Sequence, residues 1–317
     1  MRRMSGAMEN QASHLDSLLR SAFWIAGPTA SGKSQLALEL AERMGCEIIS
    51  VDSMQVYRGM DVGTAKPSVD ERSRIPHHML DLAEIHESYD VAKFRRQALL
   101  EAEKVQQRGR RIIFCGGTGF YFQALIHGVG NGPPSDPNIR NALEILPVED
   151  LFSELKEKDP LTAKSIDPHN KRRLVRALEV VRITGASFTS FKTDWKRSEL
   201  VDASRFWVLE HSSSSLRNRI DERVEVMMKS GWIQETQRLI DSGLKGNSTA
   251  SQAIGYRQII EHLEGKTSRD TMIQWIKTKT WQFAKRQRTW FRHQIKNRPV
   301  NMEADRPENL LNELLET

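Results

Sequence analysis

The chain has 317 residues, enough for one large core or two smaller ones, and its 47 Lys and Arg against 41 Asp and Glu give a formal net charge of +6. A pI near 9.3 permits contact with a polyanion without requiring one. The two cysteines, Cys46 and Cys115, argue against a disulfide scaffold and a cysteine-based zinc site. Because no apolar run is long enough to cross a membrane and no secretory signal pattern is present, we expect a cytoplasmic protein.

Strands and helices are predicted to alternate in the first part of the chain. We interpret residues 1–20 as an extension before the fold begins. Short apolar runs predict buried strands at residues 21–26, 46–52 and 110–117, with helical patterns between them. This alternation predicts a doubly wound parallel α/β sheet that binds ligands at the carboxyl ends of its strands.

The rest of the chain is predicted to be mainly helical. Glycines and prolines at residues 131–138 break the pattern, and we interpret residues 128–204 as a helical insertion subdomain. A predicted strand at residues 205–211 returns to the sheet, so the core would combine residues 21–127 with residues 205–317 and their C-terminal helices. Two of these helices are predicted to separate near Gly231, and the last to cover about residues 271–296.

The sequence GPTASGKS at residues 27–34 matches the P-loop pattern G-x-x-x-x-G-K-[ST] and stands between a predicted strand and a predicted helix. This context disfavours a chance glycine-rich turn and predicts a P-loop NTPase-like core. Backbone N–H groups, the helix N-terminus and Lys33 suit a phosphate, and Ser34 suits Mg²⁺. The predicted phosphate-binding residues are Gly27, Pro28, Thr29, Ala30, Ser31, Gly32, Lys33 and Ser34.

Asp52 ends the second predicted strand and opens the polar loop DSMQVYRGMDVGTAKP, residues 52–67. A carboxylate at a strand tip neighbouring the P-loop could act as a general base, and it could equally cap the next turn or help to hold Mg²⁺. Ser53, Gln55 and Lys66 are candidate acceptor-binding groups. A P-loop indicates a phosphate ligand but does not specify the reaction.

A second glycine-rich turn, residues 115–125, follows the third predicted strand and places Gly116, Gly117 and Thr118 at the same edge of the sheet. The strand ends in Cys115, where an ATPase would carry a metal-binding acid. This disfavours a motor or a GTPase-like enzyme. His77 and His78 are adjacent in an extended segment, so they would point to opposite sides and bind one metal ion poorly.

Three groups of basic residues are candidates for contact with a polyanion. The final helix places on one face the residues Lys277, Trp281, Lys285, Arg288 and Arg292. A second group is KRRLVR at residues 171–176, and a third comprises Arg217, Arg219 and Arg223. The alternative for the first two groups is a helix face or run that only contacts solvent. The arginines of the third group suit a diphosphate, and their alternative is pairing with nearby acids.

Several motifs together resemble the bacterial tRNA dimethylallyltransferase (tRNA isopentenyltransferase) family, from about residue 22 to about residue 293. They are GPTASGKS, the block at residues 52–67, IPHHMLD at 75–81, GGTGFYFQAL at 116–125, RRLVRALEV at 172–180, AIGYRQ at 253–258 and AKRQRTWFR at 284–292. The family departs from this chain at His169-Asn170, where an Asn-Asp pair is common, and at Trp281, where Arg often follows Thr.

The resemblance implies a channel in which dimethylallyl diphosphate meets the tRNA anticodon stem-loop, with N6 of the adenosine 3′ of the anticodon as the acceptor. Asp52 resembles the general base, Thr29, Lys33 and Ser34 the diphosphate and Mg²⁺ ligands, and Arg219, with Arg223 as the other candidate, a second diphosphate clamp. The implied tRNA contacts are Asp52, Ser53, Met54, Gln55, Thr118, Gln123, Arg172, Arg173, Leu174, Val175, Arg176, Gln252, Ala253, Ile254, Gly255, Tyr256, Arg257, Lys285, Arg286, Gln287, Arg288 and Arg292.

Three other functions remain as alternatives. An adenylate (cytokinin-type) isopentenyltransferase would modify a free nucleotide, and a P-loop kinase would use a carboxylate to deprotonate a small-molecule hydroxyl. A non-catalytic RNA-binding protein would leave the P-loop unexplained. The basic final helix and the helical insertion favour tRNA as the acceptor. We expect a monomer and no contact with a membrane.

Overall fold

The computed structural model describes residues 13–191, 201–305 and 312. Of the predicted N-terminal extension, residues 1–12 lie outside this part of the chain. Residues 13–21 form helix α1, and its Leu18 and Leu19 are only 0% and 1% exposed in the main hydrophobic core. The fold therefore begins before residue 21, and the prediction of an extension up to residue 20 is wrong at its end.

A parallel six-stranded sheet forms the centre of the described structure, in the order β3-β2-β4-β1-β5-β6. Its strands are β1 (Phe23–Ala26), β2 (Cys46–Val51), β3 (His77–His78), β4 (Arg111–Gly116), β5 (Phe206–Glu210) and β6 (Arg298–Asn301). Neighbouring strands of this sheet pair in parallel, which confirms the predicted doubly wound α/β class. The register pairs both Ala26 and Val51 with Gly116, so three strands end at one level.

Two strands of the sheet were not predicted. β3 has two residues and β6 has four, one of them Pro299, so neither contains the apolar run that indicates a buried strand. Both lie at the edges of the sheet. Backbone pairing with β2 and β5, rather than side-chain pattern, forms them.

The helices after α1 are α2 (Lys33–Met44), α3 (Val69–Arg74), α4 (Val91–Gln107), α5 (Gly119–His127), α6 (Pro137–Glu144), α7 (Val148–Lys158), α8 (Pro160–Ser165), α9 (Lys171–Thr184), α10 (Ser213–Lys229), α11 (Trp232–Asp241), α12 (Tyr256–Leu263) and α13 (Arg269–Gln294). Gly231 separates α10 from α11 with a φ of 89°, as a left-handed cap requires. Helices cover both faces of the sheet, since Ile48 and Ile49 of β2 belong to different hydrophobic clusters.

The chain divides into two compact units, one comprising Met1–Ile126 with Arg197–Thr317 and the other His127–Lys196. The predicted bounds of the insertion are 128–204, of which residues 192–200 lie outside the described residues. In the second unit, helices α6 to α9 pack around a small core that includes Leu143, Leu151 and Leu178. This unit has its own hydrophobic core, as an insertion subdomain needs.

A buried carboxylate fixes the loop at residues 52–67 onto the main unit. Glu235 of α11 is 3% exposed, and its oxygens accept hydrogen bonds from the backbone N–H groups of Asp61, Val62 and Gly63 at 3.1, 2.7 and 3.2 Å. The Tyr256 hydroxyl donates a fourth at 2.6 Å. One side chain thus satisfies four donors that water cannot reach readily, which stabilises the loop following Asp52.

Replacement of Glu235 tests this anchor. Glu235→Gln should lower the free energy of unfolding by about 2 kcal/mol, because an amide NH₂ would face backbone donors and leave some of them without an acceptor. Urea unfolding measures the change. The control is Glu222→Gln on the exposed side of α10, expected to stay within about 0.5 kcal/mol of the wild type. Equal losses in the two variants would contradict the anchor.

Candidate active site

The P-loop closes tightly on itself between β1 and α2. Ser31 N–H donates to the Pro28 carbonyl at 3.3 Å, and the Lys33 ammonium donates to the same carbonyl at 3.1 Å. Ala30 and Gly32 have φ angles of 64° and 88°, a conformation that turns backbone N–H groups into the loop. Lys33 is therefore in a position to exchange a carbonyl partner for a phosphate oxygen.

Lys33 shares its surroundings with a second cation and with Asp52. Burial and, after it, the Arg223 guanidinium lower the pKa of Lys33 to about 8, while the Asp52 carboxylate acts in the opposite direction. Burial also lowers the pKa of Arg223, and Asp52 opposes that effect. Two cations and one carboxylate therefore belong to a single electrostatic site at the carboxyl ends of the strands.

Asp52 uses one oxygen to shape the chain and leaves the other available. Its Oδ1 accepts hydrogen bonds from the backbone N–H groups of Met54 at 2.8 Å and Gln55 at 3.3 Å, which caps the turn after β2. Its Oδ2 makes no hydrogen bond within residues 13–191 and 201–305. Asp52 can therefore cap the turn with one oxygen and accept a proton with the other, although the sequence pattern left these two roles as alternatives.

β1, which precedes the P-loop, and β2, which precedes Asp52, lie on either side of β4. The two strands are therefore not neighbours, which corrects the prediction that Asp52 ends a strand next to that of the P-loop. Between them lies Cys115, whose thiol donates to the Lys33 carbonyl at 3.7 Å. Burial raises the pKa of Cys115 to about 12, so the thiol is neutral and does not pair with Lys33 as an acid at that position would. A Cβ at Gly116 would overlap the Val51 carbonyl, so glycine permits this close approach.

The two candidate clamp arginines differ in their contacts. Arg219 of α10 is exposed, and its Nε donates to the Ala30 carbonyl at 2.8 Å, so it grips the P-loop backbone from outside. The charge of Arg223, one helical turn later, lowers the pKa of Lys33, and the charge of Asp52 raises the pKa of Arg223. Arg217 pairs with Asp221 at 3.4 Å, as the plain alternative expects. The electrostatic coupling to Lys33 and Asp52 favours Arg223 as the cation inside the site.

The two loops that follow β2 and β4 hold each other. Thr118 Oγ1 accepts a hydrogen bond from the Ser53 backbone N–H at 3.1 Å. Gln55 Oε1 accepts from the Ser50 hydroxyl at 2.8 Å, and its Nε2 donates to the Thr64 carbonyl at 3.2 Å. Three predicted tRNA contacts, Ser53, Gln55 and Thr118, therefore already help to build the rim of the site.

Lys66 has a structural role, which contradicts its predicted part in binding the acceptor. Its side chain is 1% exposed and pairs with Asp61 at 2.7 Å and Asp81 at 2.6 Å. It also donates to the Tyr57 carbonyl at 2.8 Å. Lys66 neutralises the carboxylate of Asp61 within the loop at residues 52–67 and that of Asp81 beyond it, so its charge is not available to a substrate.

Several predicted tRNA contacts are buried, which contradicts direct contact by their side chains. Leu174 and Val175 are 0% and 3% exposed in the core of the second unit, and Tyr256 is 1% exposed. Gln123 of α5 is 4% exposed. The motif resemblance covers continuous stretches, whereas a helix directs part of every stretch into the core.

Other predicted contacts lie at the surface within their own units. Arg172 and Arg173 are exposed on α9, whereas Arg176 binds the buried carboxylate of Glu179 at 2.6 Å. The remaining predicted residues are Gln252, Ala253, Ile254 and Gly255, which precede α12, and Arg257 in its first turn. Among these, Gln252 and Arg257 are exposed and bind each other at 3.2 Å.

Three of the four cations on the predicted basic face of α13 have partners within the protein. Lys277 pairs with Glu225 at 2.6 Å, Arg292 pairs with Glu210 at 3.2 Å, and Arg288 donates to the Ser213 hydroxyl at 3.1 Å. Trp281 packs beside Ala284 against α10. The face chosen from periodicity thus packs partly against α10, whereas Lys285 and Arg292 remain exposed.

Lys285 and Arg286 are exposed on this part of α13, as is the Arg292 that pairs with Glu210. They border an open cavity of about 640 Å³ whose lining comprises Gln282, Lys285, Arg286, Thr289, Trp290, His293 and Gln294. The basic surface available to a polyanion therefore includes Lys285 of the predicted face and adds Arg286, its neighbour in sequence.

Two supporting residues escaped the sequence analysis. His211, at the end of β5, is 7% exposed and its Nε2 lies 3.0 Å from the Ser31 carbonyl of the P-loop. Glu235 gives a signal in retrospect, because a charged residue shares the apolar face of α11 with Trp232 and Leu239. No comparable signal marks His211, whose partner is distant in sequence.

Within the described ranges, no helix has the length and apolar character needed to cross a membrane. The same residues contain no group of three His, Cys, Asp or Glu side chains suited to a metal ion. The two adjacent histidines have separate partners: His78 Nε2 lies 2.7 Å from Glu47 Oε2, and His77 Nδ1 lies 2.8 Å from the Ile75 carbonyl oxygen.

Comparison with known proteins places the chain in a family. The family model described as IPP transferase matches residues 55–294, and the P-loop and Asp52 precede that match. The chain is 42% identical over 272 residues to tRNA dimethylallyltransferase 1 of Trichlorobacter lovleyi, covering 84% of this chain and 89% of the relative. It is 40% identical over 298 residues to tRNA dimethylallyltransferase of Protochlamydia amoebophila, covering 92% and 87%.

Solved structures give the same result. The tRNA isopentenylpyrophosphate transferase of Bacillus halodurans superposes with a TM-score of 0.68 at 34% identity, covering 94% of this chain and 96% of that one. A eukaryotic dimethylallyltransferase acting on tRNA superposes with a TM-score of 0.75 at 26% identity, covering 93% and 79%. The chain is therefore a transferase that belongs to the IPP transferase family.

Proposed function

We propose that this protein transfers the dimethylallyl group of dimethylallyl diphosphate to N6 of the adenosine at tRNA position 37, next to the anticodon, and releases diphosphate. The observation that carries the proposal is the single electrostatic site formed by Lys33, Arg223 and Asp52. Such a site supplies cations for a leaving diphosphate and a carboxylate for the acceptor amine. The names of the relatives support tRNA as the acceptor.

The P-loop residues 27–34 and Arg223 would bind the diphosphate. Charge builds on the diphosphate as the allylic C–O bond breaks, so cations fixed beside it stabilise the transition state more than the ground state. The neutral Cys115 matters here, because an acid at that position would compensate the charge of Lys33. Arg219 would act indirectly, by holding the Ala30 carbonyl and thus the shape of the loop.

The acceptor amine would lose its proton to Asp52. The lone pair of the exocyclic N6 is delocalised into the adenine ring, so removal of a proton as the new N–C bond forms assists the attack. The N6 atom bonds to the allylic carbon, the C–O bond to diphosphate breaks, and Oδ2 of Asp52 takes the proton. Oδ1 keeps its hydrogen bonds to Met54 and Gln55, which holds the carboxylate in place during the transfer.

The donor set fits a Mg²⁺ ion that arrives with the diphosphate. Ser34 is exposed in the first turn of α2, directly after Lys33, and the described residues provide no separate cage of acidic ligands. Mg²⁺ commonly takes substrate phosphate oxygens and few protein ligands. Bound there by Ser34 and the diphosphate, it would neutralise charge on the leaving group.

We propose that the protein acts in the cytoplasm as a monomer; the two free cysteines, Cys46 and Cys115, suit a reducing compartment. The exposed Lys285 and Arg286 suit the phosphate backbone of the anticodon stem-loop. Extrusion of the target base from its stack would bring N6 to Asp52.

Incubation with unmodified tRNA, labelled dimethylallyl diphosphate and Mg²⁺ tests the function. Label should enter tRNA and should not enter a tRNA whose position 37 carries guanosine. Label in AMP would instead support the nucleotide-modifying alternative, and phosphate transfer from ATP would support a kinase. Either result without label in tRNA would overturn the proposal.

Asp52→Asn separates the two tasks of this carboxylate. The amide oxygen can still accept from the Met54 N–H, but the side chain can no longer take a proton, so turnover should fall by about 10²- to 10⁴-fold. tRNA affinity should stay nearly intact. Single-turnover kinetics and filter binding measure the two, with the exposed Asp70→Asn as a control expected to be active. Wild-type turnover in Asp52→Asn would exclude Asp52 as the base.

The lowered pKa of Lys33 predicts proton uptake on diphosphate binding. Lys33 is charged below its pKa of about 8 and loses its charge as the pH rises through that value, so affinity should decline there. At a pH about one unit above this pKa, Lys33 is mostly neutral in the free protein, and a bound anion should restore its proton. Calorimetry with Mg²⁺–pyrophosphate in buffers of different ionisation enthalpy measures the uptake. Lys33→Arg stays charged and should lack this component, and equal uptake in both proteins would refute the assignment.

The exposed cations of α13 should control the salt dependence of tRNA binding. Lys285→Gln combined with Arg286→Gln should weaken binding and reduce the slope of log K against log salt by about 2, because each cation is expected to neutralise one phosphate. The matched control is Lys277→Gln combined with Arg292→Gln, whose cations already pair with acids within the protein. A larger effect in the control pair would contradict this surface.

A further inference from the structure

One buried side chain of α13 joins the P-loop to the second glycine-rich turn. Gln287 is 7% exposed. Its Oε1 accepts a hydrogen bond from the Thr29 backbone N–H at 2.9 Å, and its Nε2 donates to the Gly117 carbonyl at 2.8 Å. Both ends of one amide are therefore bound to the backbone of two loops that follow different strands.

The space around this amide is tightly limited. A Cβ at Gly117 would lie 2.6 Å from Gln287 Nε2, 3.4 Å from the Gly27 carbonyl and 3.7 Å from Lys33 Cε. The Gln287 amide thus lies among the atoms that form the phosphate cradle. A larger or shorter side chain at position 287 cannot keep both hydrogen bonds in this space.

The packing of α13 makes it a rigid support for this bridge. A Cβ at Gly119 would overlap the Trp290 ring, so the helix lies directly on the second glycine-rich turn. On the other side, Ala284 packs with Ile220 of α10. Gln287 is therefore held by packing on both sides, as a residue that fixes the distance between two loops must be.

We propose that Gln287 is a positioning residue that sets the phosphate-binding shape of the P-loop, and that it does not bind RNA; this inference rests on the proposed function of the same site. By engaging the Thr29 N–H, Gln287 fixes the orientation of residue 29 beside the leaving group. By engaging the Gly117 carbonyl, it fixes the spacing between the P-loop and the turn after β4. The motif resemblance instead assigns Gln287 to tRNA contact, so the two roles make opposite predictions.

Gln287→Met keeps the length and volume of the side chain and removes both hydrogen bonds. It should weaken Mg²⁺–pyrophosphate binding, measured without RNA, by about tenfold, because two backbone groups lose their partner and the cradle relaxes. Turnover should fall as well, while tRNA affinity stays within about twofold of the wild type. Gln107→Met, at the exposed end of α4, is the matched control and should change neither affinity.

Lys285→Gln provides the opposite pattern, with weaker tRNA binding and unchanged pyrophosphate binding. If Gln287→Met shows the Lys285→Gln pattern, or changes neither affinity, the positioning role is refuted. Should Gln287→Met fail to fold, Gln287→Asn, one methylene shorter and unable to span both loops, should show the same loss of pyrophosphate affinity, and a wild-type affinity there would refute the role too. Absence of prenyl transfer to tRNA by the wild type would contradict the proposed function and not the pyrophosphate result.

Discussion

Lys33 carries its charge in surroundings where burial and the neighbouring Arg223 both disfavour it, and the Asp52 carboxylate is among the few groups that offset this. A buried cation next to another cation is costly until an anion arrives. In the proposed function this anion is diphosphate, and its binding at the P-loop would relieve the repulsion between the two cations. The same pair of cations would then face the charge that develops when the C–O bond breaks.

The parallel sheet makes this arrangement possible. β1, β4 and β2 end at one level, which brings the P-loop, the turn after Cys115 and Asp52 to one edge. Around that edge, groups from distant parts of the chain fix each loop: Glu235 the loop after Asp52, Arg219 and His211 the P-loop backbone, and Gln287 the link between the P-loop and Gly117. Few residues take part in the proposed prenyl transfer, and these supporting side chains hold their loops in position.

The sequence predicts those features that local pattern determines. β1, β2, β4 and β5 contain continuous apolar runs, and the P-loop has a fixed spacing between its flanking elements, so all of them are predictable. β3 and β6 depend on pairing with neighbouring strands, and Leu18 and Leu19 are buried by contacts with distant residues, so local pattern does not reveal them. The incorrect predictions for Lys66 and Lys277 have the same cause, because their acidic partners cannot be identified from charge or periodicity alone.

A crystal structure with an anticodon stem-loop, Mg²⁺ and a sulfur-bridged analogue of dimethylallyl diphosphate that resists ionisation would test the central claim most directly. The account predicts that the diphosphate contacts Lys33 and Arg223, and that Oδ2 of Asp52 lies within hydrogen-bonding distance of adenosine N6, with the allylic carbon between them. A diphosphate bound away from residues 27–34, or an Asp52 carboxylate remote from the target base, would contradict it.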